Sequence, residues 1–309
     1  MATYKVGKYC IGGLHGECPT WIVPTIFYHG DKTLLSAKGD FDRETLKQKI
    51  EEAISITTEY KLVLGLDVVL PSIESIERVL PFLAEFNIPI FLDSADPMIR
   101  AESYKVSRDL GLTEYAIANG LYVDSPVDEI EALRESRLGK AVLIAFNPRN
   151  PYESLDWVNR VSLLDEKLLP LARESGIELR FVDFVAIDPG SIAICGEAIE
   201  KFKSLYDAPA GCAPANALGN VNKSTVTVDE VYGSHGGVAA YLRMKGADFI
   251  MIGPLSRVKY VAPIIAIVDG LLGYNLRRKG FKLADDHPMK GLLKKIQKLF
   301  NQPILPGKT

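Results

Sequence analysis

Histidine, glutamine and cysteine are all scarce in this 309-residue chain, at four, three and four residues. The histidines, His15, His29, His235 and His287, stand far apart, and neither HxH nor HExxH occurs. A metal-dependent barrel hydrolase needs such clustered ligands, so no protein-bound metal is expected. The cysteines, Cys10, Cys18, Cys195 and Cys212, form no CxxC pair. So few in a long chain point to free thiols and a reduced, cytoplasmic setting. A run of about 18 apolar residues is missing, which excludes a transmembrane helix. The first twenty residues also lack the apolar core of a signal peptide. Basic residues are not in excess: 36 Lys and Arg face 39 Asp and Glu, so general nucleic-acid binding has no electrostatic basis. GxGxxG and GxSxG are absent, which speaks against a dinucleotide site and a nucleophile elbow. No lysine ends an apolar run, which disfavours Schiff-base chemistry. The shortage of thermolabile glutamine points to a heat-adapted source.

What is present is alternation. Runs that read as buried strands occur at 21–28, 61–70, 88–94, 115–120, 141–147, 179–186 and 247–254, with a weaker one at 208–213. Near-continuous apolar runs of this kind are the mark of strands covered on both faces in a parallel sheet. Helical patterns fall between them, at 42–57, 72–86, 97–110, 126–137, 162–175, 191–205, 228–245 and 257–274. In the first, Leu46, Ile50, Ala53 and Ile54 share one face and Asp42 is placed to cap it. Eight strand–helix pairs in this length predict one (β/α)8 TIM barrel, with a doubly wound open sheet as the alternative. The expected organisation is a barrel domain over 1–274 and a tail over 275–309, with the first 20 residues as an appendage. In the tail, Leu292, Leu293, Ile296, Leu299 and Phe300 share a helical face interspersed with Lys290, Lys294, Lys295 and Lys298. A basic amphipathic helix docks on its own barrel, a second copy, a partner or an anionic surface.

The strands carry a recurring ending. IPIFLDS reaches Asp93, YAIAN reaches Asn119, AVLIAFN reaches Asn147, LRFVDF holds Asp183, and the Gly-rich GCAPAN presents Asn216. A parallel barrel gathers strand C-termini at one mouth, where active sites lie. The mouth is therefore expected to hold acids and amides, suited to a flat heterocycle rich in N–H and C=O groups. Each residue also has a bland reading. Asp93 could cap the following helix, although Asp96 fits that role better. Asp183 lies inside an apolar run, so it must find a ligand or an internal partner. Asn119 and Asn147 could close Asx-turns, and turn chemistry could also account for Asn216. Tyr28, in IFYHGD, could wall the mouth or pack in the core.

GGLHGECPTWIVPTIFYHG, KGDFDRE, FLDSADPMIR, LIAFNP, FVDFVAIDPG and IGPLSRVKYVAPIIAIVDGLLG occur in order over about residues 11–273. Together they resemble the H-type methyltransferase subunit family of archaeal tetrahydromethanopterin S-methyltransferase. Free-standing relatives in that family serve corrinoid-dependent systems, and this chain resembles those. The resemblance implies a barrel that moves a methyl group between a corrinoid and nitrogen-5 of a tetrahydropterin. By the wider pattern of pterin-binding methyltransferases, Asp93, Asn119, Asp183 and Asn216 would hold the pterin. Asn216 would also act catalytically, near nitrogen-5. Tyr28 and Asn147 are further candidates for the mouth.

The pterin would be a substrate, tetrahydromethanopterin ahead of tetrahydrofolate. The corrinoid would arrive on a separate carrier protein, because no carrier domain fits in the remaining residues. A homodimer is the expected association. Two alternatives stand beside this reading. One is a non-catalytic pterin-binding or docking subunit of a larger complex. The other is a pterin enzyme of the dihydropteroate synthase type, whose anion-binding Lys/Arg set is not evident here.

Overall fold

The computed structural model describes residues 1–219, 225–284 and 286–291. Its first element is an antiparallel hairpin, β1 (Thr3–Val6) and β2 (Tyr9–Gly12). The barrel begins at β3 (Trp21–Ile26), followed by α1 (Arg43–Glu59), whose Asp42 cap accepts from the Thr45 N–H. The second stave is two short pieces, β4 (Val63–Leu64) and β5 (Leu66–Val69). It leads to α2 (Ile73–Leu83), which Ser72 and Ser75 open with a reciprocal capping box. Then come β6 (Ile90–Asp93), α3 (Pro97–Asp109), β7 (Ala116–Leu121), α4 (Val127–Ser136) and β8 (Lys140–Ile144).

The next connection differs from expectation. The helix expected over 162–175 starts earlier, as α5 (Trp157–Leu163), and passes through a π-helical turn (Leu164–Leu168) into α6 (Leu169–Glu174). The Asp156 side chain accepts from the Asn159 N–H, which sets that earlier start. The chain continues as β9 (Leu179–Asp183), α7 (Ser191–Leu205), β10 (Ala210–Cys212), α8 (Pro214–Leu218), α9 (Val228–Met244), β11 (Phe249–Pro254) and α10 (Val258–Arg278). Strand β10 is short and poor in side chains for a steric reason. A Cβ on Gly211 would lie 2.1 Å from the Phe249 carbonyl oxygen.

All barrel pairings are parallel, in the order β11-β10-β9-β8-β7-β6-β5-β3, and β11 pairs with β3 to close the ring. The fold is thus the expected (β/α)8 barrel. Two core layers hold it together. Outward strand residues such as Ile22, Val68, Leu92 and Leu143 pack against the helices. Inward residues, among them Trp21, Val23, Phe91, Ile117, Phe181 and Phe249, fill the barrel axis. Trp21 and Phe181 lie 5.8 Å apart, and Phe91 and Phe181 meet edge to face at 5.7 Å.

The first 20 residues close the base of the barrel. Val6 and Ile11 join the inward cluster, and the Trp21 indole N–H donates to the Cys10 carbonyl at 2.8 Å. The expectation of four free thiols is corrected here. Cys10 and Cys18 are bonded as a disulfide, with Cα atoms 5.7 Å apart. The segment between β2 and β3 turns back and brings Cys18 to Cys10, which spacing in the sequence does not reveal. Cys195 and Cys212 are free and buried.

At the other end of the chain, α10 runs past residue 274 to Arg278, and buried His287 and Met289 pack against the barrel. The amphipathic helix expected from Leu292 to Phe300 lies outside the described residues. No helix among the described residues is long and apolar enough to cross a membrane.

Candidate functional site

Strand alternation builds the site. Inward positions recur every second residue, so the residue two beyond each inward plug side chain surfaces at the mouth. Phe91 is followed by Asp93, Ile117 by Asn119 and Phe181 by Asp183. Registers then bring them together. Asp93 pairs with Asn119 across β6 and β7, and Ile144 with Asp183 across β8 and β9. Above the plug opens a cavity of about 930 Å³, lined among others by Tyr28, Asp93, Asn119, Asp183 and Asn216. Asn216 reaches it from the short helix α8, where the sequence suggested a turn.

Asn147 goes elsewhere. It is buried, donating from its backbone to Ser154 Oγ and from its amide to Glu153, while its Oδ1 accepts from the Arg149 N–H at 3.0 Å. Its side chain shapes the loop after β8 and does not line the cavity. The Asx-turn alternative describes it.

Sequence reasoning missed Asp67. It lies one pleat deeper than Asp93, paired in register with Phe91. Both of its oxygens are engaged: Asn119 Nδ2 donates to Oδ1 at 3.0 Å and Thr25 Oγ1 to Oδ2 at 2.9 Å. The signal was available, because an aspartate inside KLVLGLDVVL is as anomalous as one inside LRFVDF. Tyr122 and Arg257 were also missed, and both line the cavity. Arg257 follows the last strand, and its Nη1 donates to the Ile252 carbonyl at 2.8 Å.

Three carboxyl groups thus share one enclosed space, and their acidity reflects it. Burial pushes Asp67 up to about 6, against the hydrogen bonds from Thr25 and Asn119. Burial likewise pushes Asp183 up to about 6, opposed by the Val185 N–H and the Arg160 charge. Asp93 is held well above the ordinary carboxylate range, first by burial and then by the charge of Asp67. Tyr122 is raised to about 12 by burial and by Asp93. The mouth therefore offers three carboxyl groups whose acidity burial has weakened, a carboxamide pair and aromatic walls. That set can grip a flat heterocycle by its donor and acceptor edges.

The fold and this mouth define a (β/α)8 barrel with a polar cavity at the C-terminal ends of its strands. The chain matches the family model of the tetrahydromethanopterin S-methyltransferase MtrH subunit over residues 2–283. It belongs to that family of methyltransferase subunits. The corresponding subunit of tetrahydromethanopterin S-methyltransferase from Methanothermobacter thermautotrophicus is 28% identical over 92% of the chain and 94% of its own length. The Methanosarcina mazei counterpart is 25% identical, covering 94% and 96%. Among solved structures, 7,8-dihydropteroate synthase from Vibrio fischeri superposes with a TM-score of 0.59 at 15% identity, over 88% of this chain and 98% of that one. This last likeness concerns the fold alone.

Proposed function

We propose that the mouth binds a tetrahydropterin, tetrahydromethanopterin in preference to tetrahydrofolate. The chain then moves a methyl group between a methyl-Co(III) corrinoid on a carrier protein and nitrogen-5 of that pterin. The observation that carries this reading is the convergence of Asp67, Asp93, Asn119, Asp183 and Asn216 on one cavity. The 2-amino group and adjacent ring N–H of a pterin form a donor pair, which one carboxylate accepts through both oxygens. Asp183 supports this role: its Oδ1 accepts the Val185 N–H at 2.7 Å and keeps a second lone pair, so both oxygens can still accept. Asn119 is fixed with its Nδ2 toward Asp67, leaving its carbonyl oxygen to accept from the ligand.

In the transfer, the nitrogen-5 lone pair would form the new N–CH3 bond as the cobalt–carbon bond breaks with its electron pair left on cobalt, and the nitrogen-5 proton would pass to water. The protein supplies no covalent nucleophile in this scheme. Its residues hold the pterin plane, and Asn216 at the lip stabilises charge developing on nitrogen-5.

A carrier protein needs a landing surface, and the rim supports one. Apolar residues stand exposed at the helix starts and loops that follow five successive staves: Ile73, Met98, Val127, Tyr152, Leu155 and Ile187, with Met98 70% and Tyr152 77% exposed. Exposed apolar surface gathered around one opening suits a macromolecular partner.

The test is spectroscopic. Mixing the protein with a methyl-Co(III) carrier and tetrahydropterin is expected to convert the cobalt spectrum to Co(I), faster with tetrahydromethanopterin than with tetrahydrofolate. Pterin binding without any change in the cobalt spectrum would refute the catalytic reading.

A further inference from the structure

Two arginines lie buried behind the mouth, one behind each strand-end aspartate. Arg100 on α3 is 4% exposed and Arg160 on α5 is 1% exposed. Each reaches the carbonyl of the residue after an aspartate. Arg100 Nη1 donates to the Ser94 oxygen at 2.6 Å, just beyond Asp93. Arg160 Nη1 donates to the Phe184 oxygen, just beyond Asp183.

The two differ in how their charge is balanced. Arg100 meets Glu129 through two parallel bonds of 2.6 and 2.9 Å, a bidentate pair that neutralises it. Among the described residues, the hydrogen bonds of Arg160 go to the carbonyls of Ser154, Phe184 and Val185 and to the Cys195 sulfur, never to a carboxylate. A buried cation without a paired anion is costly, and the turn it holds carries Asp183.

That turn is itself unusual. Val185, a β-branched residue, sits at φ 44°, in the left-handed region such side chains avoid. It is held from both sides, by the Asp183 carboxylate on its N–H and by Arg160 on its carbonyl. We propose that Arg160 is a positioning residue for Asp183. Its unbalanced guanidinium fixes the FVDFV turn and supplies the positive charge that keeps the Asp183 carboxylate an acceptor for the ligand. This proposal rests on the tetrahydropterin reading of the mouth.

Other groups also face Asp183: Asp67 on β5, Asp93 on β6, Tyr122 after β7, Cys195 on α7 and Cys212 on β10. Of these only Cys195 is itself a hydrogen-bond partner of Arg160, through its sulfur at 3.4 Å. Burial already holds Asp183 up at about 6 and the Arg160 charge opposes it, so losing that charge moves the carboxyl further up.

The experiment follows the Asp183 carboxyl by carbon NMR in the ligand-free protein, together with the pH dependence of tetrahydropterin binding. It compares wild type with Arg160→Gln, Arg160→Lys and the double variant Arg100→Gln/Glu129→Gln, which removes a balanced pair. Arg160→Gln is expected to move both the carboxyl titration and the acid limb of binding upward by about one pH unit, roughly tenfold weaker binding within that limb. Arg160→Lys is expected to restore most of the titration, and the double variant to leave it in place. An unmoved titration in Arg160→Gln overturns the proposal, and so does an equal movement in the double variant. If Arg160→Gln does not fold, Arg160→Met takes its place: removing the charge is again expected to move the Asp183 titration upward, and an unmoved titration overturns the proposal. Failure of wild type to bind any tetrahydropterin would end the functional reading, while the carboxyl titration would still judge Arg160.

Discussion

The amide of Asn119 donates to the Asp67 carboxylate at 3.0 Å, reaching across the strand that carries Asp93 between them. One hydrogen bond therefore spans three staves and decides which way the Asn119 amide faces. Removing the carboxylate frees the amide to turn. Asp67→Ala is expected to weaken tetrahydropterin binding about 10- to 100-fold, the worth of a charge-assisted hydrogen bond of about 1.5–3 kcal/mol. Titration calorimetry checks this, and unchanged affinity would remove Asp67 from the site.

The acidity of the mouth has a stability consequence with a definite sign. The folded state raises Asp183 from 3.8 to about 6, so below 3.8 the group costs nothing and above 6 the cost is complete. Asp183→Asn removes that cost. The variant is expected to be more stable than wild type at pH 7.5, by up to about 3 kcal/mol, with the advantage fading as pH falls from 6 toward 4. Urea denaturation at pH 7.5 and pH 4.5 measures it. A gain that is equal at both values would contradict the raised acidity constant. Ligand binding is expected to move the opposite way, since the variant loses the acceptor.

The exposed rim makes a separable prediction. Met98→Asp with Val127→Asp places charge on two side chains, 70% and 67% exposed, without touching the cavity lining. Methyl transfer from a carrier protein is expected to show a KM for the carrier raised about tenfold, the effect of about 1.4 kcal/mol, with tetrahydropterin affinity unchanged. Steady-state kinetics with the carrier varied would show it. An unaltered KM would move the docking surface elsewhere.

The plug below the mouth is expected to be costly to breach. Phe181 is fully buried and contacts Trp21, Phe91 and Phe249 with centroids 5.8, 5.7 and 5.7 Å away. Phe181→Ala should destabilise the protein by about 3–5 kcal/mol, read from chemical denaturation. Because Asp183 lies on the same strand two residues on, the same variant should also weaken ligand binding.

Much of the site could be read from strand patterning alone. Asp93, Asn119 and Asp183 announce themselves because a polar group ending or interrupting an apolar run needs a reason. Asp67 carried the same signal within a longer run and differs only in lying one pleat deeper. Asn147 ended its strand as plainly as Asn119 did, yet its amide closes a local turn onto Glu153 and Arg149. A strand end gives the position of a side chain along the barrel axis, and local hydrogen bonding decides where it points. Arg100 and Arg160 gave no sign at all, because a charged residue on a helix ordinarily faces water.

The alternation of strand and helix, and with it the barrel, is written in the order of the residues. Apolar strand runs and capped amphipathic helices leave few ways to bury both faces of eight strands. Whatever depends on registration between distant segments was settled in the folded chain. The meeting of Asp67 with Asn119 and the Trp21–Phe181 plug are of this kind. So is the placing of one neutralised and one unbalanced arginine behind two aspartates. The physical reason is range. Propensity and periodicity act over one turn or one pleat, whereas hydrogen bonds and buried charges are fixed by partners that the chain itself keeps far apart.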